Sequence, residues 1–188
     1  MRPRGLWATL ALVAIATGIG LLPAPAQIKT ELDKLVEQAR LYPLIGREPP
    51  PFSLLRLDGR RVALSDFTGH VVVLYFWTTA SSYGADELSS RMEKVQREWR
   101  DRKFTVLAVN VKEKKEEVAP WVQKRLLSPV VLLDTDGGVS QDYQVRAIPT
   151  VYVIDRDMRL VGRASGTRAW DEGPEKALLD YLVKAPAS

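Results

Sequence analysis

The 188-residue chain contains no cysteine. This excludes every mechanism that needs a thiolate, a cysteine metal ligand, a disulfide or a covalently attached c-type haem. Histidine is almost as scarce, with His70 alone in the sequence. Charge of a single sign is missing too, because 27 Lys and Arg face 23 Asp and Glu. The two signs are interleaved, as in Arg100-Asp101-Arg102-Lys103 and Lys112-Glu113-Lys114-Lys115-Glu116-Glu117. That pattern describes a solvated mixed-charge surface, and no nucleic-acid partner is expected from it. The chain has no internal repeat and no long low-complexity segment.

Arg2 and Arg4 precede an uncharged, mostly apolar run over residues 6–22, and Ala24-Pro25-Ala26 then supplies small residues before Gln27. This is the layout of a cleaved export signal. The competing expectation is retention of residues 6–22 as a membrane anchor, since 17 residues fall at the short end of the spanning range. No cysteine follows the run, so a lipid-anchored lipoprotein is not expected. Removal of residues 1–26 leaves 162 residues of net charge +2, the size of one domain with a full core. The predicted location is periplasmic or extracellular, with any membrane association confined to the N-terminal segment.

Residues 30–42 carry Leu32, Leu35, Val36 and Ala39 at helical spacing, with Thr30 as a candidate cap. Gly46-Arg47-Glu48-Pro49-Pro50-Pro51 reads as a stiff break that opens the main domain. The predicted organisation is therefore a signal over 1–26, a helical extension over 27–45 and one domain over 46–188. Strands at 52–57 and 61–64 meet at Asp58-Gly59, a hairpin signal. The continuous apolar run 71–76 reads as a strand buried on both faces. Leu88, Met92, Val95 and Trp99 form an apolar stripe on a helix over about 82–102. Further strands are expected at 104–111, 130–133, 150–154 and 160–164, and helices at 116–126 (interrupted near Pro120), 139–143 and 170–183. Alternation of strands and helices calls for an α/β sheet with helices on both faces.

Four segments carry a resemblance. They are the proline-rich entry with Phe52-Ser53-Leu54, the strand ending in Phe76-Trp77, Glu87 in the following helix, and Val145-Arg146-Ala147-Ile148-Pro149-Thr150. In this order and spacing they resemble the TlpA/ResA-like branch of the thioredoxin superfamily, over about residues 46–183. The resemblance implies a thioredoxin-like fold: a central mixed β-sheet flanked by helices, with an N-terminal β-hairpin and the short helical extension in front. It also implies an exported or membrane-tethered thiol–disulfide oxidoreductase ancestry, a cis Ile148–Pro149 bond, and an active-site face made by Trp77, Ala80, Ser81, Ser82, Tyr83, Ile148 and Pro149.

The departures from the family decide the functional expectation. Ser81 and Gly84 stand where the two redox cysteines belong, and Tyr75 stands where thioredoxin carries a buried acid. Ala80 replaces the tryptophan common before the first cysteine. A hydroxyl cannot cycle between thiol and disulfide, and it is a poor nucleophile without an adjacent base. His70 cannot be that base, because the extended chain to Phe76 covers about 20 Å. Asp134, Asp136 and Asp155 sit in turn sequences and are read as turns, so no metal site and no cofactor are expected.

The expected function is non-catalytic binding of an extended polypeptide or a periplasmic protein partner, with Trp77 and Tyr83 as anchors. The competing view of those aromatics is that they only cover the helix N-terminus. The alternative functions are an enzyme acting without its own thiols, through the hydroxyls and the helix N-terminus, or an engineered cysteine-free oxidoreductase.

Overall fold

The computed structural model describes residues 24–80, 85–125 and 129–185. Eight strands form one mixed sheet: β1 Tyr42–Arg47, β2 Ser53–Arg56, β3 Arg61–Ala63, β4 Val71–Trp77, β5 Phe104–Val111, β6 Val130–Asp134, β7 Thr150–Ile154 and β8 Leu160–Ser165. Their spatial order is β1-β8-β7-β4-β5-β6-β2-β3. The helices are α1 Ala24–Gln38, α2 Ala85–Glu98, α3 Lys115–Arg125, α4 Gly138–Asp142 and α5 Gly173–Lys184. The α/β class, the central mixed sheet and the opening β2–β3 hairpin agree with the expectation from sequence.

The uninterrupted apolar run of β4 is explained by its place. It pairs with β5 in parallel and with β7 antiparallel, and every residue from Val71 to Trp77 is buried. Strand alternation divides the side chains between two cores. Val71, Val73, Tyr75 and Trp77 join Leu88, Met92 and Val95 of α2 and Leu178, Leu179 and Leu182 of α5. Val72, Leu74 and Phe76 join Leu64, Tyr143 and Tyr152 on the opposite face. The helices thus cover the faces unequally: the second is closed by the short α4, a 3-10 turn at Leu64–Phe67 and the proline-rich entry.

Three local expectations are corrected. The first helix stops at Gln38 rather than 42, because Arg40 takes a left-handed conformation (φ 48°) and Leu41 N–H returns to the Val36 carbonyl at 3.1 Å. This αL cap satisfies terminal carbonyls and turns the chain into β1. The Gly46 segment does not break regular structure: β1 runs through it along β8, with a register shift between Pro43 and Arg47. Gly46 has φ 79°, the conformation a bulge asks of glycine, so a residue read as a breaker is an insertion into a strand. Strand β1 therefore lies on both sides of the 45/46 position. Pro120 does not interrupt α3, which is continuous over Lys115–Arg125. The proline is the sixth of its eleven residues and removes one N–H from the ladder, a cost the packing of Val118, Trp121 and Val122 on the core offsets.

Helix α1 lies on the same core as α5 through Leu32, Leu35 and Val36. The Arg168 guanidinium fixes its end by donating to the Ala39 carbonyl at 2.9 Å and the Arg40 carbonyl at 3.3 Å.

Candidate functional site

Register places the site. Trp77, the last residue of β4, pairs with Asn110 of β5, and Phe76 pairs with Thr150 of β7. The turn leaving β4, the turn leaving β5 and the Ile148-Pro149 loop entering β7 are therefore neighbours at one end of the sheet. They lie beyond the carboxyl ends of the parallel strands, where open α/β sheets bind ligands.

The chain after Trp77 is held by a residue from the second turn. Glu113 accepts the Thr79 backbone N–H at 2.8 Å and the Asn110 amide at 2.6 Å through Oε2. Its Oε1 accepts the Thr79 hydroxyl at 2.7 Å and the Ala80 N–H at 3.3 Å. Burial of Glu113 favours the neutral acid, yet the hydrogen bonds from Asn110, Thr79 and Ala80 outweigh it and hold the carboxyl below its ordinary 4.5. An ionised carboxylate thus closes the turn where the strand meets the site. Sequence reading missed Glu113 by assigning its charge run to solvent. The available signal was Asn110, a polar residue following the apolar run 106–109 of β5, fully buried and in need of a partner.

Trp77 is 1 % exposed and packs on Trp121 of α3 with ring centroids 4.5 Å apart. The Arg125 guanidinium lies 3.8 Å over the Trp121 ring and also bonds Asp86 of α2. Trp77 is therefore a buried support beneath the turn and does not present its ring as an anchor. Ala80 is exposed, Ile148 half-buried and Pro149 buried. The Ile148–Pro149 peptide is cis. The Pro149 carbonyl accepts the Gly166 N–H at 2.8 Å, and the Thr150 hydroxyl donates to the Ala147 carbonyl at 2.7 Å. Both ends of that loop are thus tied to the sheet. Ser81, Ser82, Tyr83 and Gly84 lie outside the described residues.

Two further groups bear on the chemistry. Burial pushes the Tyr75 phenol up to about 12, so it keeps its proton and stays neutral at physiological pH. His70 lies just before β4, at its other end, and shares a 3.0 Å hydrogen bond with Thr105. Burial, with Lys103 and Arg156 nearby, lowers its pKa. No group of three His, Asp or Glu side chains among the described residues is arranged to hold a metal ion.

A buried strand running into a pinned turn, an amphipathic helix behind it and a proline loop opposite define a thioredoxin-fold protein. The model of the AhpC/TSA family matches residues 45–163. The thioredoxin-like protein YneN of Bacillus subtilis is 33% identical over 138 residues, covering 72% of this chain and 79% of that protein. The thiol-disulfide oxidoreductase ResA of the same organism is 30% identical over 137 residues, covering 73% of each. Among solved structures, a Chlorobium tepidum protein given as thiol:disulfide interchange protein DsbE superposes with a TM-score of 0.68 at 29% identity, over 73% of this chain and 97% of that one. The chain belongs to the AhpC/TSA family, as a TlpA/ResA-like protein of the thioredoxin superfamily.

Proposed function

We propose that this protein is an exported, cysteine-free relative of the thiol–disulfide oxidoreductases that binds extended polypeptide or a partner protein without chemistry. One observation carries the reading: in a chain with no thiol, the turn after β4 is fixed by three hydrogen bonds to Glu113, which Asn110 of β5 holds by a fourth, beside the Ile148-Pro149 loop. Thiol–disulfide exchange needs an attacking and a leaving sulfur, and this chain supplies neither. What the arrangement can offer is surface: exposed Ala80, half-buried Ile148 and the backbone around them. Trp77 serves from beneath by fixing the turn. Residues 1–26 direct export, with retention of 6–22 as an anchor the competing form.

The test uses an unfolded polypeptide with blocked cysteines, titrated into the mature protein and into Tyr83→Ala and Ala80→Glu variants. Binding by the wild type, weakened in both variants, supports the reading. Equal binding by all three removes the proposed face. Insulin reduction at the uncatalysed rate is expected, and turnover above it would overturn the non-catalytic assignment.

A further inference from the structure

At the same end of the sheet, beside the Pro149 loop, the edge formed by β1 and β8 bounds a hollow of about 350 Å³. Among the described residues its lining includes Arg40, Arg146, Arg163 and Arg168, and no Asp or Glu. Through Tyr42, Gln144 and Arg163 it meets a second hollow of about 260 Å³, whose lining includes Glu48, paired with Arg159, and Asp142, so the positive wall ends there. Arg168 is committed to the end of α1 and to Glu175 at 3.4 Å. The other three arginines have no ion pair with a carboxylate among the described residues. Arg163 stacks 5.0 Å over the ring of Tyr42, which is 58 % exposed. Arg146 and Thr150 of its lining flank Ile148-Pro149 in the chain, so the hollow adjoins the proposed binding face.

The guanidinium groups of Arg40, Arg146 and Arg163 line one cleft with no ion-paired carboxylate among the described residues, and such a cleft focuses a positive potential. They present forked donors that suit carboxylates. Thr150 and Ser165 add hydroxyls at the same wall. We propose that this hollow selects acidic polypeptide: a segment bound extended along the Ala80–Ile148 face places Asp or Glu side chains against Arg146 and Arg163. Alternate residues of an extended chain point the same way about 7 Å apart, so a peptide with acids at alternate positions presents a row of carboxylates to one wall. This inference rests on the polypeptide-binding reading above.

The chain holds its own control. A basic hollow at the opposite end of the sheet is lined by Arg97, Arg100 and Arg102, and there Arg97 is paired with Glu93 at 3.5 Å. Arg100→Gln with Arg102→Gln removes the same net charge as Arg146→Gln with Arg163→Gln. Fluorescence anisotropy is measured with two labelled, cysteine-free peptides that differ only in Asp and Glu against Asn and Gln. The acidic peptide should bind more tightly, and each of Arg146→Gln and Arg163→Gln should weaken it by about fivefold. Arg146→Lys, which keeps the charge but loses the forked donors, should fall between wild type and Arg146→Gln. About 0.5 M salt should erase the preference for acid. Circular dichroism checks that each variant is folded. Equal binding of the two peptides overturns the arginine proposal and leaves the polypeptide-binding reading standing. Equal loss in the opposite-end variant also overturns it, by assigning the preference to net charge. No binding of either peptide overturns both. Binding to phosphatidylglycerol vesicles that depends on Arg146 and Arg163, without peptide binding, assigns the hollow to a membrane surface instead and overturns the proposal.

Discussion

Glu113 gives the sharpest quantitative expectation. Its two carboxylate oxygens share four donors, two each. Glu113→Ala removes all four bonds and leaves the amide of Asn110, a fully buried residue, without its acceptor. An unpaired buried polar group costs about 1–3 kcal/mol, and the remaining bonds add less because Glu113 is half-exposed. The expected loss is about 3 kcal/mol, or roughly 6–12 °C in Tm for a domain of this size. Glu113→Gln should cost less, about 1–2 kcal/mol. Its carboxamide oxygen can serve Thr79 N–H and Asn110, while its NH₂ faces the Thr79 hydroxyl, which can turn to accept, and the longer contact to Ala80. The sign with pH follows from the depressed carboxyl. Its stabilisation is full above the ordinary 4.5 and is lost as pH falls through the lower folded value. Urea unfolding followed by circular dichroism from pH 7 to pH 3 should show the gap between wild type and Glu113→Gln shrink below about pH 4.5. A gap that stays flat across that range, or a Glu113→Ala variant within about 0.5 kcal/mol of wild type at pH 7, would refute the role assigned to this carboxylate.

Other expectations follow from single residues. The paired change Ser81→Cys and Gly84→Cys should create a dithiol that oxidises to a disulfide, shown by loss of two titratable thiols. Failure to form it would mean that the two positions do not correspond to the family's cysteines. Trp77→Ala empties a site beneath the turn and should lower stability by about 3–5 kcal/mol in urea unfolding, whereas an exposed anchor would cost little. Gly46→Ala meets no atom within 4 Å, so its cost is that of the left-handed backbone alone, about 1 kcal/mol.

Much of the fold was legible because the sheet centre imposes its pattern on the sequence. Val71 to Trp77 is an unbroken run of aliphatic and aromatic residues, and Phe104 to Val111 is apolar apart from Thr105 and Asn110, since both faces of their strands are covered, and the stripe from Leu88 to Trp99 has one buried side. The edges were less legible. Strand β1 contains Pro43 and Gly46, which read locally as breaks, and only its pairing with β8 makes them a bulged edge strand. Pro120 misled for the same reason, since tertiary packing of α3 outweighs one missing hydrogen bond. The candidate site was legible as a strand–turn–helix opposite a proline loop, and its composition decided what chemistry it lacks. The Glu113 clasp was not legible, because it joins residues 34 positions apart whose local sequence is that of a solvated charge run. Sequence leaves Trp77 between an anchor and a cover for the helix N-terminus, because it gives the residue type and not the ring of Trp121 packed on it.

The account turns on whether the retained face holds polypeptide. The direct measurement is an NMR titration of the isotopically labelled mature protein with an unfolded, cysteine-blocked acidic polypeptide. The account predicts amide shifts concentrated at Thr79, Ala80, Ala147, Ile148 and Thr150, with Arg146 and Arg163 at their margin and no covalent adduct. Shifts absent from that set, or gathered around the His70 end of the sheet, would contradict it.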